Sequence, residues 1–400
     1  MVLLSHPTGN AFVREAALAL AKAGRLGEFH TTLAFFGSGW PGELRRRVYP
    51  EELMKFTRRH PWREAARLLA TRMGWDFFTR HERAWASVDA VYRSLDRKVA
   101  SSLDSKKISA VYCYEDGALE SFRSAKQLGI RRIYDLPIAH WSAVQRLLAE
   151  EADRLPEWAG TLGGLRDSEE KLRRKDEELE LADVVICPSS FVRDSLPLDI
   201  LQKKRVEVIP FGSPLVSQSA QKTPNAGPLK VLFAGSMTQR KGLADLFSAI
   251  KMLDSNLFEF NVLGTPLVDI QFYRSHLTEF IYHSPRAHSK VLELMQSCDV
   301  LVIPSIVEGR ALVQQEAMSC GLPIIVTRNA GAEDLVEDGK AGFLVPIRNP
   351  NAIAEKLELL SKNRNLLAAM GRAAKSKAQS LTWESYRERI VEIAESVANQ

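Results

Sequence analysis

Two glutamates, Glu308 and Glu316, are separated by seven residues in the run Pro304-Ser-Ile-Val-Glu308-Gly-Arg-Ala-Leu-Val-Gln-Gln-Glu316-Ala-Met-Ser-Cys-Gly321-Leu-Pro323. The apolar residues before Pro304 read as a strand, so Glu308 falls in the loop at its end and Glu316 inside the helix that follows. Carboxylates accept hydrogen bonds well from sugar and ribose hydroxyls. The helix start near Arg310–Leu312 presents backbone N–H groups with no intrahelical partner, and those suit a phosphate. A second run, Phe233-Ala-Gly235-Ser236-Met-Thr-Gln-Arg240-Lys241-Gly242, also follows a strand and opens a helix. Cations at a helix N-terminus oppose the macrodipole, and a bound anion relieves that placement. One loop offers carboxylates and amides, the other cations, and together they can grip two parts of one phosphorylated, hydroxyl-bearing ligand. A salt-bridged surface helix and a solvated helix start remain the structural alternatives for the two runs.

Such loops need strands that end beside one another. In the first half, Val2–His6, Thr31–Phe36, Val111–Tyr114, Ile133–Leu136, Val184–Cys187 and Val206–Ile209 read as short strands between helical stretches. In the second half, Val231–Gly235, Glu259–Gly264, Phe280–His283, Asp299–Pro304, Pro323–Thr327 and Gly342–Val345 do the same. This alternation predicts an α/β protein of two Rossmann-like, doubly wound parallel-sheet domains facing a cleft. The expected boundaries are an acceptor-side domain over 1–212, a linker over 213–228, a ligand-binding domain over 229–380, and a C-terminal helix over 381–400 that packs back on the first domain. The Glu51–Leu103 stretch reads as a helical insertion. The charged run Asp167–Leu181 reads as a solvent-facing helix capped by Asp167.

The two chemical runs resemble the signature of glycosyltransferase family 4, in which a strand ending in Pro-Ser leads to Glu-x7-Glu-Ala and then Gly-x-Pro. Pro304, Ser305, Glu308, Gly309, Leu312, Glu316, Ala317, Gly321 and Pro323 carry the match. Arg310-Ala311 stands where the family has Phe-Gly. The second run is similar to the family's Gly-Arg-x4-Lys-Gly loop, with Lys241 at the lysine and Ser236 where the arginine would be. The likeness covers roughly residues 182–385, including Ala182–Ser190, Val208–Gly212 and Glu337–Val345, and only the outline of the first 180. It implies a GT-B fold and a retaining, metal-independent glycosyltransferase of the hexosyltransferase type. In that case a nucleotide diphosphate sugar is co-substrate and no cofactor is needed.

By the same resemblance, Glu308 and the amides of Gly309, Arg310, Ala311 and Leu312 face the donor sugar and its phosphate. Glu316 binds the ribose, while Lys241 with Gly235 and Ser236 meets the diphosphate, and Arg240 supplies the missing cation. Gly9, in Pro7-Thr8-Gly9-Asn10, lies at the donor phosphate, although Asn10 also reads as a helix cap. His140, after the strand Ile133–Leu136, lies near the donor sugar and joins Glu308 and Lys241 in catalysis. Glu115 and Asp116, at another strand end, face the acceptor. The alternatives are a nucleotide-sugar epimerase or hydrolase, or a silent nucleotide-sugar-binding protein.

Composition sets the outer bounds. The chain has 400 residues, 45% hydrophobic and 26% charged, and a net charge of +5. No apolar run is long enough to span a bilayer, and Met1–His6 reads as a buried strand, not a signal peptide. Cys113, Cys187, Cys298 and Cys320 lack CxxC spacing, and no HExxH or EF-hand pattern occurs, so neither a zinc site nor another metal is expected. These features favour a soluble cytoplasmic protein with buried, reduced thiols and no nucleic-acid partner. Between Trp40 and Arg83 eleven Lys/Arg stand against six Asp/Glu, a surplus equal to that of the whole chain. Trp62, Trp75, Phe56, Phe77 and Phe78 are interleaved with them. Two readings of this stretch stay open: a solvated helical face over a core stripe, or a surface that meets the inner face of an anionic membrane. The acceptor accordingly ranges over a sugar, a lipid-linked sugar or a small molecule.

Overall fold

In the computed structural model the described residues are 1–40, 44, 47–214, 216 and 227–398. Most of the expected linker over 213–228 lies outside them. The chain builds two all-parallel sheets. The first contains β1 (Val2–Ser5), β2 (Leu26–Thr31), β3 (Thr57–Arg59), β4 (Ala110–Tyr114), β5 (Arg131–Asp135), β6 (Val184–Cys187) and β7 (Arg205–Val208), in the order β3-β2-β1-β4-β5-β6-β7. The second contains β8 (Leu229–Ala234), β9 (Phe258–Leu263), β10 (Ile281–His283), β11 (Val300–Ile303), β12 (Ile324–Thr327) and β13 (Gly342–Val345), in the order β10-β9-β8-β11-β12-β13. Every residue of β1, β4, β6, β11 and β12 is buried. Burial on both faces is why these strands are continuous apolar runs without alternation. Strand order reverses at β1/β4 and at β8/β11, and ligands bind at the carboxyl ends beside such reversals.

The second strand differs from the expectation of Thr31–Phe36. The helix Ala11–Lys22 ends in a turn at Gly24, whose φ is +67°, and Val2 then pairs with Leu26. The polar-looking Leu26–Thr31 is therefore the strand, and the more apolar run falls beyond its carboxyl end. The Glu51–Leu103 stretch is not wholly helical either, because Thr57–Arg59 adds β3 to the sheet edge.

The two units are tied together at several places. The C-terminal helix Trp383–Ala398 packs Tyr386, Ile390, Ile393 and Val397 into the core of the first sheet, beside Tyr112 and Ile133. The chain crosses there because Gly212 has no side chain: a Cβ would stand 2.3 Å from the Trp383 nitrogen. In the other direction, the turn Pro156–Thr161 inserts Trp158 among Phe247, Phe272 and Tyr273 of the second unit. All four cysteines are buried. Among the described residues no helix is long and apolar enough to cross a membrane.

Candidate active site

The loops after β8 and β11 meet backbone to backbone. The chain leaves β8 through Gly235 at φ +149°, forms a short 3-10 turn at Gln239–Lys241, and turns again at Gly242, where φ is +73°. A Cβ on Gly242 would lie 2.1 Å from the Pro304 carbonyl oxygen, and one on Gly235 would lie 2.8 Å from Lys241 Cδ. Glycine at both places lets Lys241 lie along the strand end and point at the next loop. Its Nζ is 2.6 Å from Glu308 Oε2, while Arg240 reaches Glu308 Oε1 at 2.9 Å and the Val307 carbonyl at 3.1 Å. Burial pushes the Glu308 carboxyl up, but Lys241 and Arg240 together outweigh it and hold it at about 2. Two cations share one carboxylate, so the site keeps a net positive charge that favours an anion.

Glu308 is placed by its backbone N–H, which donates to the Asn329 carbonyl at 3.0 Å. Gly309 follows, and a Cβ there would stand 1.8 Å from the Pro137 carbonyl oxygen, so only glycine lets the β11 loop touch the β5 loop. Ser189 of the first unit donates to the Gly309 carbonyl at 2.7 Å. Arg310 turns its side chain away from the ligand side. Its Nε donates to the Pro188 carbonyl at 2.6 Å and its NH2 group pairs with Asp334 at 2.7 Å. Burial lowers this guanidinium to about 10. Its third nitrogen, NH1, is buried without a hydrogen-bond partner.

The helix Leu312–Ser319 begins at Ala311, which offers no side-chain cap. Its first turn lines a cleft of about 390 Å³ with Gly235, Ser236, Lys241 and Thr265. Ser236 is exposed at its mouth. One turn into the helix, Glu316 Oε1 is 3.0 Å from His288 Nε2, and that hydrogen bond raises the imidazole above its ordinary range. Sequence reasoning missed His288, and also Thr265 and Arg286, which line the same cleft. Gly264-Thr265-Pro266 at the end of β9 and Pro285-Arg286 after β10 are strand ends, which was the one available signal. If Glu316 holds a ribose, Glu316→Gln should weaken nucleoside diphosphate binding roughly tenfold and leave inorganic pyrophosphate unaffected. Calorimetry with both ligands checks this, and equal losses would make Glu316 a structural residue.

From the first unit, His140 caps the helix Trp141–Arg154 on the loop that touches Gly309. Its Nδ1 is 2.8 Å from Ser142 Oγ. The other nitrogen lies 3.4 Å from Asp176 Oδ1 without a hydrogen bond to it. Burial lowers its pKa, against the pull of Asp176. Gly9 is buried and its carbonyl accepts from Arg14. Asn10 occupies the N-cap position of the first helix, yet its side chain makes no capping bond.

Glu115 and Asp116 sit at the carboxyl end of β4 within a cluster of charges. Lys175 Nζ is 3.5 Å from Glu115 and 3.8 Å from Asp116, and Lys171 is 3.8 Å from Asp116. Burial raises Glu115 to about 7 despite Lys175. Both lysines lie on the helix Glu169–Leu181, which is therefore not the solvent-facing element expected. Lys171, Arg174, Lys175 and Glu178 recur on one face and turn inward, with Arg174 on Asp96 and Glu178 accepting the amides of Ala118 and Leu119. Leu172 and Leu179, at i and i+7, are buried with them, a sparse apolar seam among charges that are satisfied by partners from distant segments. Ser168, not Asp167, caps this helix. Among the described residues one group, His81, Glu82 and Asp167, brings possible metal ligands close together. Lys171 Nζ already occupies Asp167 at 3.0 Å, which is a cation supplied by the chain itself.

Residues 216–377 match the family model described as glycosyl transferases group 1. An uncharacterized glycosyltransferase of Methanocaldococcus jannaschii is 30% identical over 207 residues, covering 51% of this chain and 56% of that one. The chain spans about half the length of the curated relatives it matches. Among solved structures, sucrose-phosphate synthase from Thermosynechococcus elongatus superimposes with a TM-score of 0.69 at 17% identity, covering 99% of this chain and 98% of that one. Anabaena HepE in complex with UDP-glucose gives 0.63 at 18%, covering 99% of both. Likeness of this kind at low identity establishes architecture, and the chain has the GT-B fold, with two parallel-sheet α/β units.

Proposed function

We propose that this protein is a retaining glycosyltransferase of the family 4 kind. The second unit would hold a nucleotide diphosphate sugar, and the first would present an acceptor hydroxyl. The observation that carries the reading is Glu308 clamped by Lys241 and Arg240 beside an uncapped helix start at the mouth of a cleft. A donor diphosphate would lie on Lys241 and the first-turn amides, with Glu308 next to the sugar. The acceptor oxygen attacks the anomeric carbon on the face that the diphosphate leaves. The bond from that carbon to phosphate oxygen breaks, the new glycosidic bond forms, and the acceptor's proton passes to the departing phosphate. The protein's work is positioning and stabilising the charge that develops on the leaving group. That chemistry needs neither a protein nucleophile nor a metal, and the donor is a co-substrate, so no cofactor is invoked. His140, on the loop that touches Gly309, would complete the sugar side of the pocket.

The test is a thermal-shift panel of nucleotide diphosphate sugars followed by product analysis. UDP-glucose leads the panel because the Anabaena neighbour was solved with it. A true donor stabilises the fold by mass action. With it, nucleoside diphosphate should be released only when acceptor is present, the product should keep the donor's anomeric configuration by NMR, and EDTA should leave the rate unchanged. Free sugar or an isomer formed without acceptor would overturn transfer in favour of hydrolysis or epimerisation. Inversion, or loss of rate with EDTA, would overturn the mechanism.

A further inference from the structure

The segment after β3 leaves large apolar side chains in water. The helix Trp62–Arg72 buries Glu64, which pairs with Arg47 and Arg67, and Ala70. Its opposite face carries Trp62, Leu69 and Met73, at i, i+7 and i+11, and they are 83%, 56% and 55% exposed. Gly74, at φ +69°, then turns the chain into a tip where Trp75, Phe77 and Phe78 are also exposed. An amphipathic helix whose apolar stripe faces outward, continued by an aromatic tip, is a surface built to be covered.

We infer that this face docks on an anionic lipid bilayer. The argument is charge complementarity. Arg63 lies over the Trp85 ring at 4.9 Å and Arg80 over Phe77 at 5.7 Å, while Arg72 and Arg83 are exposed beside them. Of the neighbouring acids Glu64 is buried and Glu82 accepts from the backbone N–H and hydroxyl of Ser168, which leaves Asp76 as the one exposed carboxylate of the tip against the exposed Arg72, Arg80 and Arg83. Aromatic rings with arginines stacked on them match an interface where acyl chains meet phosphates. A second copy of the chain is disfavoured, because a twofold contact would set Arg72, Arg80 and Arg83 against their own images. The root of the segment also adjoins the acceptor side of the cleft. His81 Nε2 is 3.0 Å from Asp167, just before the helix whose Lys175 pairs with Glu115. Resting on the glycosyl-transfer reading, this placement would bring a lipid-borne acceptor to the site, but docking itself does not depend on transfer.

The experiment is co-sedimentation of the full chain with vesicles of phosphatidylcholine alone and of phosphatidylcholine mixed equally with phosphatidylglycerol, at low and moderate salt. The protein should pellet with the mixed vesicles only, and salt should weaken it. Trp62→Ser combined with Leu69→Ser, and separately Arg80→Gln combined with Arg83→Gln, should each weaken partition on the order of tenfold or more. Thermal unfolding and nucleoside diphosphate affinity should stay at wild-type values, which separates docking from the donor site. Absence of binding to the mixed vesicles at low salt would overturn the inference, and so would equal binding to both vesicle types. A dimer in sedimentation velocity that Trp62→Ser with Leu69→Ser dissolves would reassign the face to a second copy.

Discussion

Lys241→Ala is expected to lose roughly tenfold to a hundredfold in nucleoside diphosphate affinity, the range for a charge-assisted contact of about 1.5–3 kcal/mol. It should lose turnover as well. The loss has two sources. Lys241 is the cation that the Gly235 and Gly242 turns aim at the cleft. It is also half of the pair that keeps Glu308 ionised. With Arg240 alone, burial weighs more heavily on Glu308, and its pKa must rise from about 2. The sign follows directly. A carboxyl depressed in the folded state adds stability above its ordinary pKa of 4.5 and loses it as pH falls towards about 2. The variant should therefore unfold at a higher pH than the wild type on acid titration, and its rate should fall off at a higher pH on the acid side. Calorimetry measures the affinity and circular dichroism against pH measures the unfolding. Unchanged affinity in a folded Lys241→Ala protein would remove the lysine from the donor site. Unchanged acid unfolding would mean that Arg240 alone sustains the carboxylate.

The legible parts of the molecule were those written within one strand–loop–helix unit. Lys241 and Glu308 each follow a strand end by a few residues, and parallel order places such ends side by side. The apolar runs of β4, β6, β11 and β12 announced buried parallel strands for the same local reason. What stayed hidden depends on partners far along the chain. Trp158 belongs by sequence to the first half and by packing to the core of the second. In the helix Glu169–Leu181 only Leu172 and Leu179 mark the buried side, too sparse a period to distinguish the inward Lys171, Lys175 and Glu178 from a solvated face. The apolar Thr31–Phe36 drew the second strand to itself, because apolar content signals burial, whereas pairing with β1 sets the register. Arg286 and His288 come from the β10 side of the second sheet, and they meet the cleft and Glu316 respectively only once that sheet is folded.

The same long-range dependence makes Glu151 the residue whose loss should be felt furthest from its own position. Its carboxylate is fully buried and accepts from Arg154, Arg348 and the side-chain amide of Gln239. Arg154 continues to Asp245, and Gln239 donates to that same aspartate at 2.7 Å and accepts the Ala244 amide at 2.8 Å. Arg348 is held in this group although its φ of +60° is unfavourable for a residue with a side chain. Glu151 comes from the first unit, whereas Gln239, Asp245 and Arg348 come from the second, so the carboxylate is a fastening between them. Gln239 is also the first residue of the 3-10 turn that carries Arg240 and Lys241. Glu151→Ala removes the buried acceptor shared by two arginines and an amide, although Arg154 and Gln239 keep Asp245 and Arg348 keeps Glu150. An uncompensated buried charge costs about 3–5 kcal/mol, and the partial exposure of both arginines together with their remaining carboxylates reduces that to about 1–3 kcal/mol. Chemical denaturation should show the loss, with Glu151→Gln intermediate because it keeps the shape and one acceptor oxygen. The turn bearing Lys241 loses its anchor at the same time, and small displacements of positioning groups lower rates by about a hundredfold. Turnover per folded molecule should therefore fall in Glu151→Ala under conditions where the protein remains native, and nucleoside diphosphate affinity should fall with it. If stability drops while turnover and affinity per folded molecule hold, Glu151 fastens the units without positioning the diphosphate loop.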